Sequence, residues 1–179
     1  MDQGTALFRE YLDGDERALD RIFSLYHPPL IMFINRYVRD LNTAEDLAAD
    51  TFAQLIVNPK KFNFSVSLKT YLFLIGKSRA LDHLRAQKKM REREIPLPTA
   101  DDPETLIIYE EEKQELYDAM ERLNDDYRTA LYLVYFEELS YKEAGIVMKK
   151  SAKQIENLVY RAKQSLRAQL SQEGKQVIK

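Results

Sequence analysis

Two helix-capping boxes stand close together within residues 140–166, SYKEAGIVMKKSAKQIENLVYRAKQSL. Ser140 lies three residues before Glu143, and Ser151 lies three residues before Gln154. In such a box the serine hydroxyl accepts from a backbone N–H of the first turn, while the acid or amide reaches back to the N-cap. Because the residues between the boxes leave room only for a tight turn, the segment predicts a helix-turn-helix.

The second helix of this pair, predicted over residues 152–165, has two different faces. One is an apolar stripe formed by Ile155, Leu158, Val159, Ala162 and Leu166. The other offers cations and amides, namely Lys153, Gln154, Asn157, Arg161 and Gln164. Cations and amides are the groups that read base edges in a DNA major groove, so the pattern favours DNA binding. An ordinary two-helix hairpin within a bundle is the alternative reading of this segment.

Composition excludes several other classes of protein. The 179 residues include no Cys, which excludes disulfides, thiol chemistry and cysteine-based zinc sites. His27 and His83 have no metal-ligand spacing, so we expect no metal and no cofactor. The acidic N-terminus is not a signal peptide and the apolar runs are short, which favours a cytoplasmic protein without direct membrane insertion. Few Gly, few Pro and few β-branched clusters predict a mostly helical chain.

Charge is strongly segregated although the net charge is only −2. Residues 57–91 carry nine cations against one acid, and residues 141–179 carry nine against three. Residues 1–56 and 100–126 are acidic. Two basic blocks separated by acidic segments indicate two surfaces that face phosphates, whereas solvated helix faces with clustered charge are the plainer explanation.

Breaks in the helical pattern divide the chain into two small domains of an all-α fold. Residues 1–89 form the first domain, residues 90–102 a short proline-containing linker, residues 103–171 the second domain and residues 172–179 a frayed tail. In the first domain, helices are predicted at residues 5–12, 16–26, 30–39, 43–57 and 67–89. His27-Pro28-Pro29 is expected to separate the second and third helices, and Thr43 to cap the fourth. Helices near residues 104–123 and 126–138 precede the helix-turn-helix.

Two further surfaces stand out in the first domain. Asp46, Asp50 and Gln54 recur every four residues on the predicted helix 43–57. Small neighbours let a partner helix approach closely, although a solvated acidic face is equally compatible with this pattern. In the loop 58–66 and the helix after it, cations are interleaved with aromatic residues, a composition suited to phosphates and unstacked bases. Asn63 in this loop is a candidate to hydrogen-bond a flipped base edge.

Three segments in order resemble a bacterial extracytoplasmic-function (group IV) RNA polymerase sigma factor. They are AEDLAADTF (44–52), FNFSVSLKTYLFLIGKSRALDHLRAQKK (62–89) and LNDDYRTALYLVYFEELSYKEAGIVMKKSAKQIENLVYRAKQSL (123–166). The resemblance covers about residues 5–170 and implies sigma domains 2 and 4 joined by a linker. It also implies core RNA polymerase, promoter DNA and an anti-sigma factor as partners. It implies neither enzymatic activity nor a small-molecule substrate.

The resemblance assigns site residues to three surfaces. Asp46, Asp50 and Gln54 match the surface that docks on the clamp helices of the polymerase β′ subunit. The resemblance also implies a contact with the β subunit. The promoter −10 element is matched by Lys60, Lys61, Phe62, Asn63, Phe64 and Ser78. The −35 element is matched by Lys149, Lys150, Lys153, Asn157, Tyr160 and Arg161. Phe64 and Lys149 stand where the family commonly has glycine.

Two other classes of protein remain alternatives. In a helix-turn-helix regulator without polymerase contact, Asp46, Asp50 and Gln54 would face solvent and bind no partner. A helical adaptor without a DNA role would tolerate the loss of Lys153 and Arg161. An enzyme is the least favoured class, because the sequence has no Gly-rich phosphate loop and no recognisable nucleophile–base pair.

Overall fold

The computed structural model describes residues 2–91 and 119–176, with side chains of residues 2–90 and 119–170. The chain divides into two compact units, residues 1–96 and 97–179. Most of the predicted linker 90–102, and most of the helix predicted at 104–123, lie outside the described residues.

Within residues 2–91, the first unit contains four helices and a short 3-10 turn. Their bounds are α1 Gln3–Leu12, α2 Glu16–Val38, α3 Leu41–Val57, the 3-10 turn Pro59–Lys61 and α4 Leu68–Arg91. Helix α2 packs against α1, α3 and α4. Phe8, Ile22, Phe33, Leu55 and Phe73 have essentially no exposed surface and form the core. The predicted helical architecture is therefore observed, with apolar residues at helical spacing facing inward.

The predicted helix break at Pro28-Pro29 is wrong. Helix α2 runs through both prolines as one element of 23 residues. Proline removes a hydrogen-bond donor and disfavours a helix interior. Here the apolar stripe continues on both sides of the prolines, since Tyr26 and Leu30 are both buried in the same core. Tertiary packing of that stripe outweighs the local penalty.

The N-cap of α3 also differs from the prediction. Asp40 rather than Thr43 caps the helix, and its carboxylate accepts from the backbone N–H of Thr43 at 2.7 Å. Hydrogen bonds from the side chain and backbone of Thr43 keep the pKa of Asp40 below its usual value. The helix thus begins two residues before the predicted start.

The second unit contains the predicted helix-turn-helix. After a helical turn at residues 119–121, it comprises α5 Asp125–Leu131, a π-helical turn Tyr132–Phe136, α6 Tyr141–Met148 and α7 Ala152–Gln176. The helix predicted at 126–138 therefore changes to π-helical hydrogen bonding at Tyr132. Helix α7 includes residues 172–176 of the predicted frayed tail. Among the described residues, no helix is long and apolar enough to cross a membrane.

Arg128 is a buried cation in this unit that the sequence pattern did not indicate. Its side chain is only 7% exposed. It pairs with Glu121, donates to Asp125 Oδ1 at 2.8 Å and reaches the carbonyl oxygen of Leu123 at 3.4 Å. These contacts tie the turn before α5 to the helix, and they satisfy a charge that would be costly to bury alone.

Candidate nucleic-acid and protein interfaces

Both predicted capping boxes are formed and fix the two helices of the helix-turn-helix. Ser140 Oγ accepts from the Glu143 N–H at 3.2 Å, and Glu143 Oε2 accepts from the Ser140 N–H at 3.0 Å. In the second box, Ser151 Oγ accepts from the Gln154 N–H at 3.2 Å, and Gln154 Oε1 accepts from the Ser151 N–H at 2.8 Å. Each helix therefore begins at the residue that the spacing predicted.

The turn between these helices depends on one left-handed residue and one close approach. Lys149 has φ 55° and ψ 45°, a region that glycine adopts more easily than lysine. The Lys150 N–H donates to the Gly145 carbonyl at 2.8 Å. A Cβ atom at Gly145 would lie 2.5 Å from the Lys150 carbonyl oxygen. Gly145 is therefore a required residue of the turn, and the sequence reasoning missed it because it lies inside a helix.

Helix α7 buries its predicted apolar face and exposes its predicted reading face. Ile155, Val159 and Ala162 are buried. The candidate −35 residues Lys149, Lys153, Asn157, Tyr160 and Arg161 are exposed. The structure thus brings four of these residues together on the first turns of α7, the part of a recognition helix that meets base edges.

Two cations of this surface are paired within the protein. Lys150 Nζ lies 3.1 Å from Asp126 Oδ2, and Lys153 Nζ lies 2.9 Å from Glu156 Oε2. Any phosphate that approached these cations would compete with the two carboxylates. Ion pairs at a protein surface are weak, so such competition would cost little.

Two residues beside this face were not among the predicted contacts. Tyr141, at the start of α6, borders a shallow depression together with Asn157, Tyr160 and Lys163. Lys163 Nζ also lies 4.5 Å from the ring centroid of Tyr135. Tyr135 and Tyr141 are 48% and 38% exposed, which the sequence pattern alone did not indicate.

In the first unit, Asp46, Asp50 and Gln54 lie on the outer face of α3, and we call these three residues the α3 stripe. Asp46 and Asp50 are exposed and Gln54 is partly exposed. Thr51, Phe52 and Leu55 are buried on the opposite face, as predicted. Arg79 of α4 contacts two stripe residues, with Nη1 3.1 Å from Asp50 Oδ2 and Nη2 2.9 Å from Gln54 Oε1. The arginine was not among the predicted site residues.

The candidate −10 residues divide into exposed and buried groups. Lys60, Lys61, Asn63 and Ser78 are exposed. Phe62 is only 2% exposed, so in this structure its ring supports the loop from below. Asn63 Oδ1 accepts from the backbone N–H of Ser65 at 3.1 Å and from its hydroxyl at 2.7 Å. This Asx-type turn shapes the loop.

Aromatic packing against α1 holds the same loop. Phe64 has φ 61°, a left-handed conformation at the position where glycine is common in the resembling family. Its ring lies 4.7 Å from that of Phe62, and both rings contact Phe8 of α1 at centroid distances of 6.3 and 5.6 Å. The guanidinium of Arg9 lies 4.9 Å from the Phe64 ring centroid. Packing thus compensates for the unfavourable backbone conformation.

A separate aromatic cluster joins α2 to α3. The rings of Phe23 and His27 stack at 4.0 Å, and both contact Phe52. Burial lowers the pKa of His27, although the nearby Glu45 carboxylate acts in the opposite direction. Within the described residues, no group of three His, Asp or Glu side chains could hold a metal ion.

Comparisons with known proteins agree with the order of these surfaces. Residues 22–90 match the family model of Sigma-70 region 2, and residues 113–166 match that of Sigma-70 region 4. The ECF RNA polymerase sigma factor SigM of Bacillus subtilis is 29% identical over 154 residues, covering 84% of this chain and 94% of the relative. The RNA polymerase sigma-H factor of Pseudomonas aeruginosa is 25% identical over 179 residues, covering 93% of each chain.

Solved structures share the fold. The sigma factor RpoE of Bartonella quintana, solved with the anti-sigma factor NepR, has a TM-score of 0.67 and 22% identity, covering 85% of this chain and 96% of that one. CnrH, solved with the cytosolic domain of CnrY, has a TM-score of 0.68 and 20% identity, covering 95% and 98%. With both family models matched in order, the chain belongs to the extracytoplasmic-function RNA polymerase sigma factors of the sigma-70 family.

Proposed function

We propose that this protein binds core RNA polymerase and directs promoter-specific transcription initiation, without covalent chemistry of its own. The observation that carries the proposal is the two-sided arrangement of α7. Its apolar side is buried in the helix-turn-helix, while Lys153, Asn157 and Arg161 are exposed on its first turns. Such a helix can enter the major groove of a −35 element, where these side chains meet base edges and phosphates.

The first unit supplies the other two contacts of the proposal. The α3 stripe would dock on the polymerase β′ clamp helices, with the β subunit as a further contact. Lys60, Lys61 and Asn63 would capture the −10 element as single strand, the lysines at phosphates and the asparagine at an unstacked base. We assign Phe62 to the support of this loop, because its ring is buried.

Control by an anti-sigma factor completes the proposal. A solved relative is a sigma factor in complex with an anti-sigma factor. We propose a regulator of this kind that covers the polymerase- and DNA-binding surfaces until a signal arrives. The protein would act in the cytoplasm, including when such a regulator is itself held at the membrane.

The test is transcription by purified bacterial core RNA polymerase, with and without the protein, on a pooled library of genomic upstream fragments. We expect new transcripts that share paired upstream elements. The charge reversal Asp46→Lys with Asp50→Lys should remove them by loss of polymerase binding. Lys153→Ala with Arg161→Ala should remove them while polymerase binding is retained.

The same experiment separates the rival functions when DNA binding by the protein alone is measured beside it. DNA binding without new start sites would favour a helix-turn-helix regulator that makes no polymerase contact. The absence of both DNA binding and new start sites would favour a helical adaptor.

A further inference from the structure

Arg79 of α4 reaches two of the three residues of the α3 stripe at once. Its Nη1 lies 3.1 Å from Asp50 Oδ2, and its Nη2 donates to Gln54 Oε1 at 2.9 Å. The arginine side chain is 29% exposed, whereas that of Asp50 is 62% exposed. The guanidinium is thus mostly covered by protein, while the groups that it contacts remain accessible from outside.

This contact fixes which atoms the stripe presents to a partner. A guanidinium has donors and no acceptor, so the Gln54 oxygen must face Arg79 and the Gln54 NH2 group must turn away from it. Only Oδ2 of Asp50 is engaged, which leaves Oδ1 as an acceptor. The outward pattern along α3 is therefore a carboxylate at Asp46, a carboxylate oxygen at Asp50 and an amide donor at Gln54.

We propose that Arg79 is a positioning residue for docking on the α3 stripe. The partner surface that fits is a helix offering cations opposite Asp46 and Asp50 and a hydrogen-bond acceptor opposite Gln54. Residues four apart on a helix are separated by about 6 Å along the axis, so matching groups one turn apart on the partner would meet all three. This inference rests on the proposed function, in which the partner is core RNA polymerase.

The chemistry of arginine suits this role better than that of lysine. Arg79 Nε is buried without a hydrogen-bond partner, so the described hydrogen bonds of the guanidinium are those of its Nη atoms. A planar guanidinium directs two donors toward two acceptors in a fixed geometry, whereas one ammonium group cannot hold both in the same way. We therefore expect Arg79→Lys to recover little of the function lost in Arg79→Ala.

The test measures the affinity of the full chain for purified core RNA polymerase in the absence of DNA. Arg79→Ala should weaken binding about three- to tenfold. The matched control is Arg85→Ala on the same helix. The Arg85 side chain is 74% exposed, and its Nη1 lies 2.8 Å from Oδ1 of Asp82, which is on α4 as well. The affinity of this control should stay within about twofold of the parent.

A double-mutant cycle distinguishes positioning from general destabilisation. In a chain that already carries Asp50→Ala and Gln54→Ala, adding Arg79→Ala should cause no further loss of affinity. Undiminished further loss, or parental affinity for Arg79→Ala alone, would overturn the inference while leaving the proposed function intact. If the variant with Asp50→Ala and Gln54→Ala binds polymerase as well as the parent, the α3 stripe is not the docking surface. The inference about Arg79 and the proposed docking of the stripe on polymerase then both fail. If thermal unfolding shows that the Arg79→Ala variant does not fold, Arg79→Gln is used in its place.

Discussion

The hydroxyl of Thr5 accepts a hydrogen bond from the backbone N–H of Leu68 at 3.1 Å, across 63 residues of sequence. Thr5 lies on α1 and Leu68 is the first residue of α4. The same hydroxyl donates to the carboxylate of Asp2, the N-cap of α1. One side chain therefore joins the start of α1 to the start of the helix that follows the candidate −10 loop.

Replacing Thr5 tests this connection. Thr5→Val keeps the shape of the side chain but leaves the buried Leu68 N–H without its acceptor, and it should lower the free energy of unfolding by about 1–3 kcal/mol. Urea unfolding of the full chain measures the change. Thr5→Ser keeps the hydroxyl and should retain most of the stability. Equal stability of the valine variant and the parent would mean that the Leu68 N–H finds another acceptor.

Gly145 should be intolerant of even one methyl group. In Gly145→Ala the new Cβ meets the Lys150 carbonyl oxygen, a backbone atom that moves only if the turn opens. We expect a loss of about 1–3 kcal/mol in the unfolding free energy of the second unit, together with weaker DNA binding. Lys142→Ala, an exposed change on the same helix, should stay within about 0.5 kcal/mol of the parent. A fully stable alanine variant would disprove the close approach.

Lys149 and Phe64, two of the four left-handed non-glycine residues in the described part of the chain, should respond oppositely to replacement by glycine. Lys149→Gly relieves the backbone and removes an exposed side chain, so it should stabilise the protein by about 0.5–1 kcal/mol. Phe64→Gly relieves the backbone but deletes the ring packed on Phe62 and beneath Arg9, so it should destabilise by about 1–2 kcal/mol. Chemical denaturation of both variants is the measurement. Changes of the same sign would show that packing does not decide between the two positions.

The carboxylate of Glu156 should weaken DNA binding. In Glu156→Gln the ammonium of Lys153 loses its carboxylate partner, and one negative charge is removed from the candidate −35 surface. We expect the variant in complex with polymerase to bind promoter DNA more tightly than the parent does. The slope of log K against log salt concentration should be steeper by about one unit. Lys153→Ala should shift the slope in the opposite direction. An unchanged slope in both variants would place this pair outside the DNA contact.

His27 should make stability depend on mild acid. Burial lowers its pKa in the folded state below the unfolded value of about 6.5, so the unfolded chain binds the proton more tightly. Stability from this group is complete above the unfolded pKa and is lost as pH falls from there through the lower folded pKa. Urea unfolding between about pH 7 and about pH 5.5 should therefore show a smaller loss for His27→Gln than for the parent. Identical losses would show that the protonated ring is tolerated against Phe23.

The parts of the fold that could be predicted were those determined by local signals. The spacing of Ser140 to Glu143 and of Ser151 to Gln154 located both helix starts, because the partners of a capping box lie three residues apart. The exposed face of α7 followed from helical periodicity alone. Contacts between residues distant in sequence could not be found in this way. Arg79 reaches α3 across 25 and 29 residues, and nothing in its neighbourhood specifies those partners.

The errors have the same origin. Pro28 and Pro29 are helix breakers by local preference, and only the packing of α2 against three other helices overrides them. The burial of the Phe62 ring against Phe8 likewise depends on a contact between residues far apart in the sequence, which local composition does not specify. Family resemblance predicted the candidate surfaces. The structure adds the side chains that pack behind them, such as Arg79 behind the α3 stripe and Phe62 behind the candidate −10 loop.

The contrast between short-range and long-range bonds bears on the order in which the two units assemble. The backbone and capping bonds of the helix-turn-helix join residues only three to five positions apart. The Thr5–Leu68 bond closes a loop of 63 residues. Since loop closure must precede the gain from a distant contact, the helix-turn-helix should form rapidly, whereas α1 should join α4 in a later kinetic step. During synthesis, α1 would therefore wait for its partner until Leu68 has left the ribosome.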